Sequence, residues 1–433
     1  MEVNGAPARR LLEQEARGLL SRLDQVQPFA LHETMVPAAA LPYDAHRCIE
    51  QFLHHSRTEL RHRVNDYLRW LRGPGRQVPA AEQQRRFVLI RLEFNDVLSQ
   101  FDLFTEVVTQ RSEHGTGVWL SGLDVLAADG LRVSVPGPEE LPAVCYLARG
   151  PGAAIRRAKT PLPGGRSNPV AIIRIPRERM IGSGVASSLI HEVGHQGAAQ
   201  LGLVDTLRTE LKRRRQSEPD GEWLIFETWI SEIVADCWSV GKLGITSTVG
   251  LLAVVSLPTF FVFRPSGDDP HPTPYLRVLI SASIGQALYP HPQWLEMRQT
   301  WKQMYPISSL PPERAAELQR VEAAIPAFVR VLLQHRPPAL QGRQVGDLWA
   351  TGQRRPDRLL TLHRHWAGDL AVMARQAPTL VLAVLGQART AGLLSPEVES
   401  RIVSELLTVW AVRSSLDVQP RSPVTRTPVS RAS

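Results

Sequence analysis

Gly184-Val185-Ala186-Ser187-Ser188-Leu189-Ile190-His191-Glu192-Val193-Gly194-His195-Gln196-Gly197-Ala198-Ala199 is the stretch from which the rest of the chain is read. It reads as a helix. Gly182, Ser183 and Gly184 supply a start, Leu189, Ile190 and Val193 a buried side, and Gly194 a place where another element approaches closely. Residues four apart on a helix lie almost above one another, so His191 and His195 project from one face and can grip a single ion. Zinc, one per chain, is the ion expected in that grip. Glu192, beside the two imidazoles, is placed to take a proton from a metal-activated water. The competing interpretation is a surface helix with solvated histidines, so the neighbouring residues have to decide.

Two histidines leave a tetrahedral zinc short of a protein ligand, and a carboxylate on a following helix commonly supplies it. After the basic run Lys212-Arg213-Arg214-Arg215, which reads as a solvated face, comes a polar break at Ser217-Glu218-Pro219-Asp220-Gly221. A second helix follows from about Glu222 to near Gly241. Its apolar face, Trp223, Phe226, Trp229, Ile230, Ile233 and Val234, is interrupted by Glu227, Glu232 and Asp236. Glu232 is the candidate third ligand, with Glu227 and Glu222 as possible substitutes. Asp236, one turn beyond Glu232, is placed to accept the outer N–H of a ligand histidine and fix its tautomer.

The order His191-Glu192-x-x-His195, then Glu232-x-x-x-Asp236, resembles the gluzincin metallopeptidases, and Glu232-Ile233-Val234-Ala235-Asp236 is most similar to those of the CAAX prenyl endopeptidase type. Further on, His271-Pro272-Thr273-Pro274-Tyr275-Leu276-Arg277 is similar to the His-Pro segment with a downstream Arg that such enzymes carry. The resemblance covers residues 165 to 285, roughly. It implies a zincin-like core, His191, His195 and Glu232 as zinc ligands, Glu192 as general base, Asp236 as an orienting carboxylate, and His271 or Arg277 in contact with substrate or oxyanion. An alternative for the last segment is a turn on Asp269-Pro270-His271-Pro272 followed by a helix. A metzincin is excluded, because its glycine and third histidine fall at Ala198 and Leu201.

Many peptidases of the resembled type are integral membrane proteins, and Leu243–Phe263 is an uncharged stretch directly after the glutamate helix. It contains Gly244, Thr246, Ser247, Thr248, Gly250, Ser256, Pro258 and Thr259, and a bilayer crossing here would separate His271 from the zinc. A buried helix and loop, with no membrane span, is expected instead.

The 433 residues are 43% hydrophobic and 21% charged, enough to bury a sizeable core. The expected fold class is α+β, predominantly α-helical: a metallopeptidase core with a small sheet over 113–305, flanked by a helical N-terminal region, 1–112, and a helical C-terminal region, 306–417, with a disordered tail, 418–433. Residues 8–26 and 43–72 read as helices, the second stopped by Gly73-Pro74-Gly75, and a third runs from near Ala81 to about Gln110. From Gly115 short runs such as Leu131–Val135 and Ala143–Leu147 suggest strands, Arg149–Pro169 an exposed loop, and Val170–Ile175 a strand. That strand is either internal or has a free edge for an extended peptide. The C-terminal region reads as helices broken at Pro326, Pro337-Pro338 and Pro356. His54, His55, His62, His363 and His365 lack partners at ligand spacing and read as structural or exposed.

Acidic and basic residues within the first thirty positions argue against a secretory signal, and Cys48, Cys145 and Cys237 are too few and scattered for a disulfide framework, so a cytoplasmic location is expected. The net charge of +8 invites nucleic acid as a partner, but only Lys159, Lys212, Lys242 and Lys302 among the 50 basic residues are lysines, and no recognition motif accompanies the arginines. The expected partner is a protein or peptide substrate, not nucleic acid. The function these residues predict is a zinc-dependent endopeptidase; the alternative is a non-catalytic zinc-containing binding or assembly protein that keeps the fold.

Overall fold

The computed structural model describes residues 6–26, 35–135, 141–150, 152–177, 182–219, 221–265, 267, 269–349 and 351–417. The expected disordered tail lies outside them. Three helices open the chain: α1 (Ala6–Gln25), α2 (Tyr43–Arg72) and α3 (Ala80–Thr109). Then come α4 (His114–Leu131) and the strands β1 (Ala143–Ala148), β2 (Ala154–Arg156) and β3 (Ala171–Pro176). The central helices are α5 (Gly184–Gln200), α6 (Leu203–Ser217), α7 (Trp223–Leu243), α8 (Ile245–Val255), α9 (Thr259–Val262) and α10 (Pro274–Leu288). The remainder is α11 (Gln293–Met304), α12 (Pro312–Gln334), α13 (Pro356–Trp366), α14 (Leu370–Met373), α15 (Pro378–Thr390) and α16 (Pro396–Asp417). The chain is thus mostly helical with one small sheet.

The sheet has the order β1-β3-β2. β1 runs parallel to β3, with Cys145 opposite Ile173, and β2 runs antiparallel to β3, with Ile155 opposite the same residue. Successive side chains on a strand point to opposite faces, and both faces here are buried. Val144 and Ile172 join a hydrophobic cluster formed by α1, α2 and α3, whereas Cys145, Ile173 and Ile175 join a larger cluster running from α4 through α16. The sheet is therefore the wall between two cores, and the helices of 306–417 share the second core with α5 and α7.

Several expectations are corrected. Residues 114–131 form a helix, not strands: Leu120, Leu123, Leu126 and Ala127 are all buried, and packing overrides the weak helix propensity of four glycines. Leu131 closes that helix, so Leu131–Val135 is not a strand. The supposed loop Arg149–Pro169 contains β2. β3 is the internal strand, paired on both sides, so β1 and β2 are the edge strands; the outer edge of β1 is already occupied by the side chains of Gln110, Arg111 and Asp124 on the Cys145 and Leu147 backbone, which leaves β2, among the described residues, as the edge open to a further strand. Pro326 does not break its segment; it lies inside α12, where Leu318, Val321, Ile325, Phe328, Val329 and Leu332 are buried along one stripe and outweigh one missing backbone donor. Pro356 ends one segment by starting the next, at the first turn of α13, where its absent N–H costs nothing.

Leu243–Phe263 is not one span. Ser256-Leu257-Pro258 separates α8 from the single turn of α9, and no described helix is long and apolar enough to cross a membrane.

Candidate metal centre

The centre sits where α5 and α7 pack against each other. Their approach is set by small residues: a Cβ added to Gly194 would lie 2.8 Å from the Trp238 Cβ, and one added to Gly197 would lie 2.4 Å from the Trp238 ring. Trp238 fills that space and donates its indole N–H to the Gly130 carbonyl at 3.0 Å. Fully burying such a side chain stabilises by about 1.5–3 kcal/mol, and here it also fixes how far the polar ends of the two helices stand apart. The helix start contains a surprise. Ser183 makes no side-chain cap; its hydroxyl instead donates to the buried Glu399 carboxylate at 2.5 Å, tying α5 to α16.

His191, His195 and Glu232 meet. Their ligand atoms all lie within 4.8 Å of one another. His191 Nε2 is 3.3 Å from Glu232 Oε2, and His195 Nε2 is 3.4 Å from Glu232 Oε1. Zinc–nitrogen and zinc–oxygen bonds of about 2.0–2.1 Å at tetrahedral angles put neighbouring ligand atoms about 3.3 Å apart, so the donor types fit that ion and each histidine stands at that spacing from one of the two Glu232 oxygens. The possible substitutes are occupied elsewhere: Glu227 faces Arg215 at 3.3 Å, and Glu222 faces Arg320 at 3.2 Å. The run Lys212–Arg215 is correspondingly not a purely solvated face, since Glu227 and Glu210 pair with it.

Asp236 stands behind His191. Its Oδ1 is 2.8 Å from His191 Nδ1, a close charge contact off the line of a well-aligned hydrogen bond. Arg277 of α10 forks onto both Asp236 oxygens, at 2.7 and 2.9 Å, and reaches Glu232 at 3.4 Å. Arg277 is thus held by both carboxylates. Asp236 is pulled down to about 2: burial opposes its ionisation, but the charges of Arg277 and His191 outweigh it. For His191, burial alone would lower the value, yet Asp236 and Glu232 raise it to about 9. Glu232 is held well below the usual carboxylate range, because the two histidines overcome its burial.

Glu192 is 8% exposed and lines the same cavity, of about 230 Å³, with Ser187, Ser239, Leu251 and Val254 on its other walls. Burial pushes its pKa up, against the pull of His191 and His195. That is the direction a proton acceptor needs if it is later to act as a donor near neutral pH.

His271 enters from the loop before α10, with Nε2 3.5 Å from Glu232 Oε2. Asp269 holds it by accepting both the His271 backbone N–H at 2.9 Å and, at 2.7 Å, its Nδ1, while Arg264 holds Asp269 at 2.8 Å. So both readings of this segment apply: it is an Asx turn followed by a helix, and it delivers His271 to the centre. Asp269 was missed as a site residue, although Asp two positions before a histidine in a proline-flanked turn is a readable signal. Gln196 was missed for lack of any signal. It accepts the Ala158 N–H at 2.9 Å, across 38 positions, and so locks the end of β2 to the residue after His195. Gly152 and Ala153, just before β2, line the cavity. His54, His55 and His62 on α2 and His363 and His365 on α13 stay outside the centre.

No family model, curated protein or solved structure matches the chain.

Proposed function

We propose that the protein is a zinc-dependent endopeptidase of the gluzincin type, with a zincin-like core around α5 and α7. The observation that carries the reading is the meeting of His191, His195 and Glu232, their ligand atoms within 4.8 Å of one another, with Glu192 on the same cavity wall. His191, His195 and Glu232 would hold the zinc. Bound there, zinc supplies Lewis acidity, polarising a carbonyl and making a water easier to deprotonate.

The chain's own groups do the rest. Glu192 accepts the proton of the attacking water and returns it to the leaving amine, a cycle its raised pKa supports. His271, fixed by Asp269 through Nδ1, presents Nε2 to the cavity, where the imidazolium form, with a hydrogen on each ring nitrogen, donates to the developing oxyanion. Asp236 and Arg277 hold His191 and Glu232 in place so that little reorganisation accompanies reaction. The unpaired edge of β2 offers backbone hydrogen bonds to an extended substrate running toward Gly152 and Ala153. That edge favours a peptide over a small molecule.

The test combines metal content with cleavage. Purified chain should carry one zinc, lost in His191→Ala and Glu232→Ala, and should cleave a peptide library. Glu192→Gln should retain the metal and lose on the order of 10²–10⁴ in rate. Wild-type turnover in Glu192→Gln would refute the mechanism, and one zinc with no cleavage of any peptide would favour the non-catalytic binding or assembly reading.

A further inference from the structure

The strand beside the metal cavity lies in the most one-sidedly charged part of the chain. Residues 141–177 include Arg149, Arg156, Arg157, Lys159, Arg166, Arg174 and Arg177, and no Asp or Glu. Arg166 is engaged with Glu59 of α2. Arg149, Arg156 and Arg157 are exposed and, among the described residues, form no ion pair.

The register places these cations. Arg156 lies opposite Ile172, and Ala154 opposite Arg174, so Arg156 and Arg174 share the sheet face that belongs to the α1–α3 core. Ile155, opposite Ile173, takes the α5 face. An extended chain added to the outer edge of β2 alternates its side chains in the same way. Those on the α5 face are directed to the cavity side, and every second one falls on the face of Arg156, with Arg174 on the same face one strand further in. Because Gln196 ties Ala158 to the zinc-ligand helix, this edge keeps a fixed relation to His195.

We propose that the segment which docks on β2 is an acidic peptide, carrying Asp or Glu at the alternate positions that share the face of Arg156 and Arg174, with Arg157 extending the preference past the strand end. This rests on the peptidase reading for its purpose but not for its docking geometry. A nucleic acid fits the charge but not the surface: single strands bind on aromatic platforms, and within 141–177 the sole aromatic residue is the half-buried Tyr146.

The experiment uses full-length chain carrying Glu192→Gln and loaded with zinc. Fluorescent extended peptides, matched in apolar residues and differing only in acidic, neutral or basic alternate positions, are titrated by anisotropy at low and physiological salt. The acidic series should bind at least about tenfold more tightly, with the advantage shrinking as salt screens the charges. Arg156→Glu with Arg157→Glu should invert the order, and the milder Arg156→Gln with Arg157→Gln should flatten it, with zinc content confirming the fold in each. Equal binding of the three series, no binding at all, or an unchanged order in the reversal variant overturns the proposal. An oligonucleotide of equal charge binding more tightly than the acidic peptide overturns it in favour of nucleic acid. Acidic peptides bound but never cleaved by wild type would support the docking and refute the peptidase; cleavage indifferent to charge would do the reverse.

Discussion

Two groups of buried charges, one tying α4 to β1 and one between α5 and α7, differ in how they are balanced. Arg111 and Asp124 are both fully buried, fork onto each other at 2.8 and 3.2 Å, and have the Cys145 backbone as further partner, through its carbonyl at 2.6 Å and its N–H at 2.7 Å. One cation meets one anion. At the α5–α7 centre three carboxylates, Glu192, Glu232 and Asp236, face one guanidinium, Arg277, and two imidazoles. With neutral imidazoles the group is anionic by about two charges. A closed, balanced pair joins helix to strand; an unbalanced group beside a cavity attracts either protons or a dication. The raised His191 pKa is the proton answer and a bound zinc the dication answer.

Breaking the balanced pair should have the largest effect on stability. Arg111→Met leaves Asp124 charged and buried without its partner, which costs about 3–5 kcal/mol. Denaturant unfolding of the zinc-loaded protein should show that loss, and adding Asp124→Leu should restore part of it. A cost under about 1 kcal/mol for the single variant would mean that the pair is not the closed unit described.

The unbalanced group should announce itself through pH. His191 is raised from 6.5 to about 9 in the folded, metal-free chain, so the folded state holds the extra proton between those values. Stability from this group is fully present below pH 6.5 and is lost as pH rises through about 9, a fall of roughly 1–3 kcal/mol. Zinc replaces the proton, so this slope should vanish in the loaded protein and in His191→Asn. The same slope in all three would assign it to another group.

Arg277→Met sharpens the distinction between holding the centre and reacting in it. Asp236 would lose the fork that keeps it ionised and aimed at His191. Loss of such a supporting partner should weaken zinc affinity about 10–100-fold, read by competition with a chromophoric chelator. Cleavage at saturating zinc should recover more than affinity does. Full loss of cleavage with unchanged affinity would return Arg277 to the substrate contact that the resemblance allowed.

The site was more legible in the sequence than the scaffold around it. His191, Glu192 and His195 are legible because helical period alone brings them together, and Glu232 because only one acid on α7 lies one turn before another on an otherwise apolar face. The contact of Arg277 with Asp236 was not, since it depends on the packing of α10 on α7, which no local pattern encodes. Gln196 pairs with a backbone N–H, which leaves no mark in composition. The helix α4 was misread for a related reason: its glycines are local signals, while Leu120, Leu123 and Leu126 are held by tertiary burial. The central place of β3 depends on β2, three residues long inside a stretch rich in Pro, Gly and Arg, too short to produce an alternating pattern.

The smallest effect should come from the histidines of α2, and it tests whether a histidine near a carboxylate means anything by itself. His55 Nε2 lies 3.9 Å from Glu59 on the next turn, but its side chain is 71% exposed and Glu59 is shared with Arg63 and Arg166. Water screens that contact and the pair is free to separate, so His55→Ala should change stability by less than about 0.5 kcal/mol. It should leave zinc stoichiometry at one. A second zinc lost on replacing His54, His55 or His62 would show that proximity without burial suffices for a site in this protein. The contrast that matters is then not histidine beside carboxylate but surplus charge taken out of water, which α5 and α7 achieve because Gly194 and Gly197 let Trp238 draw them together.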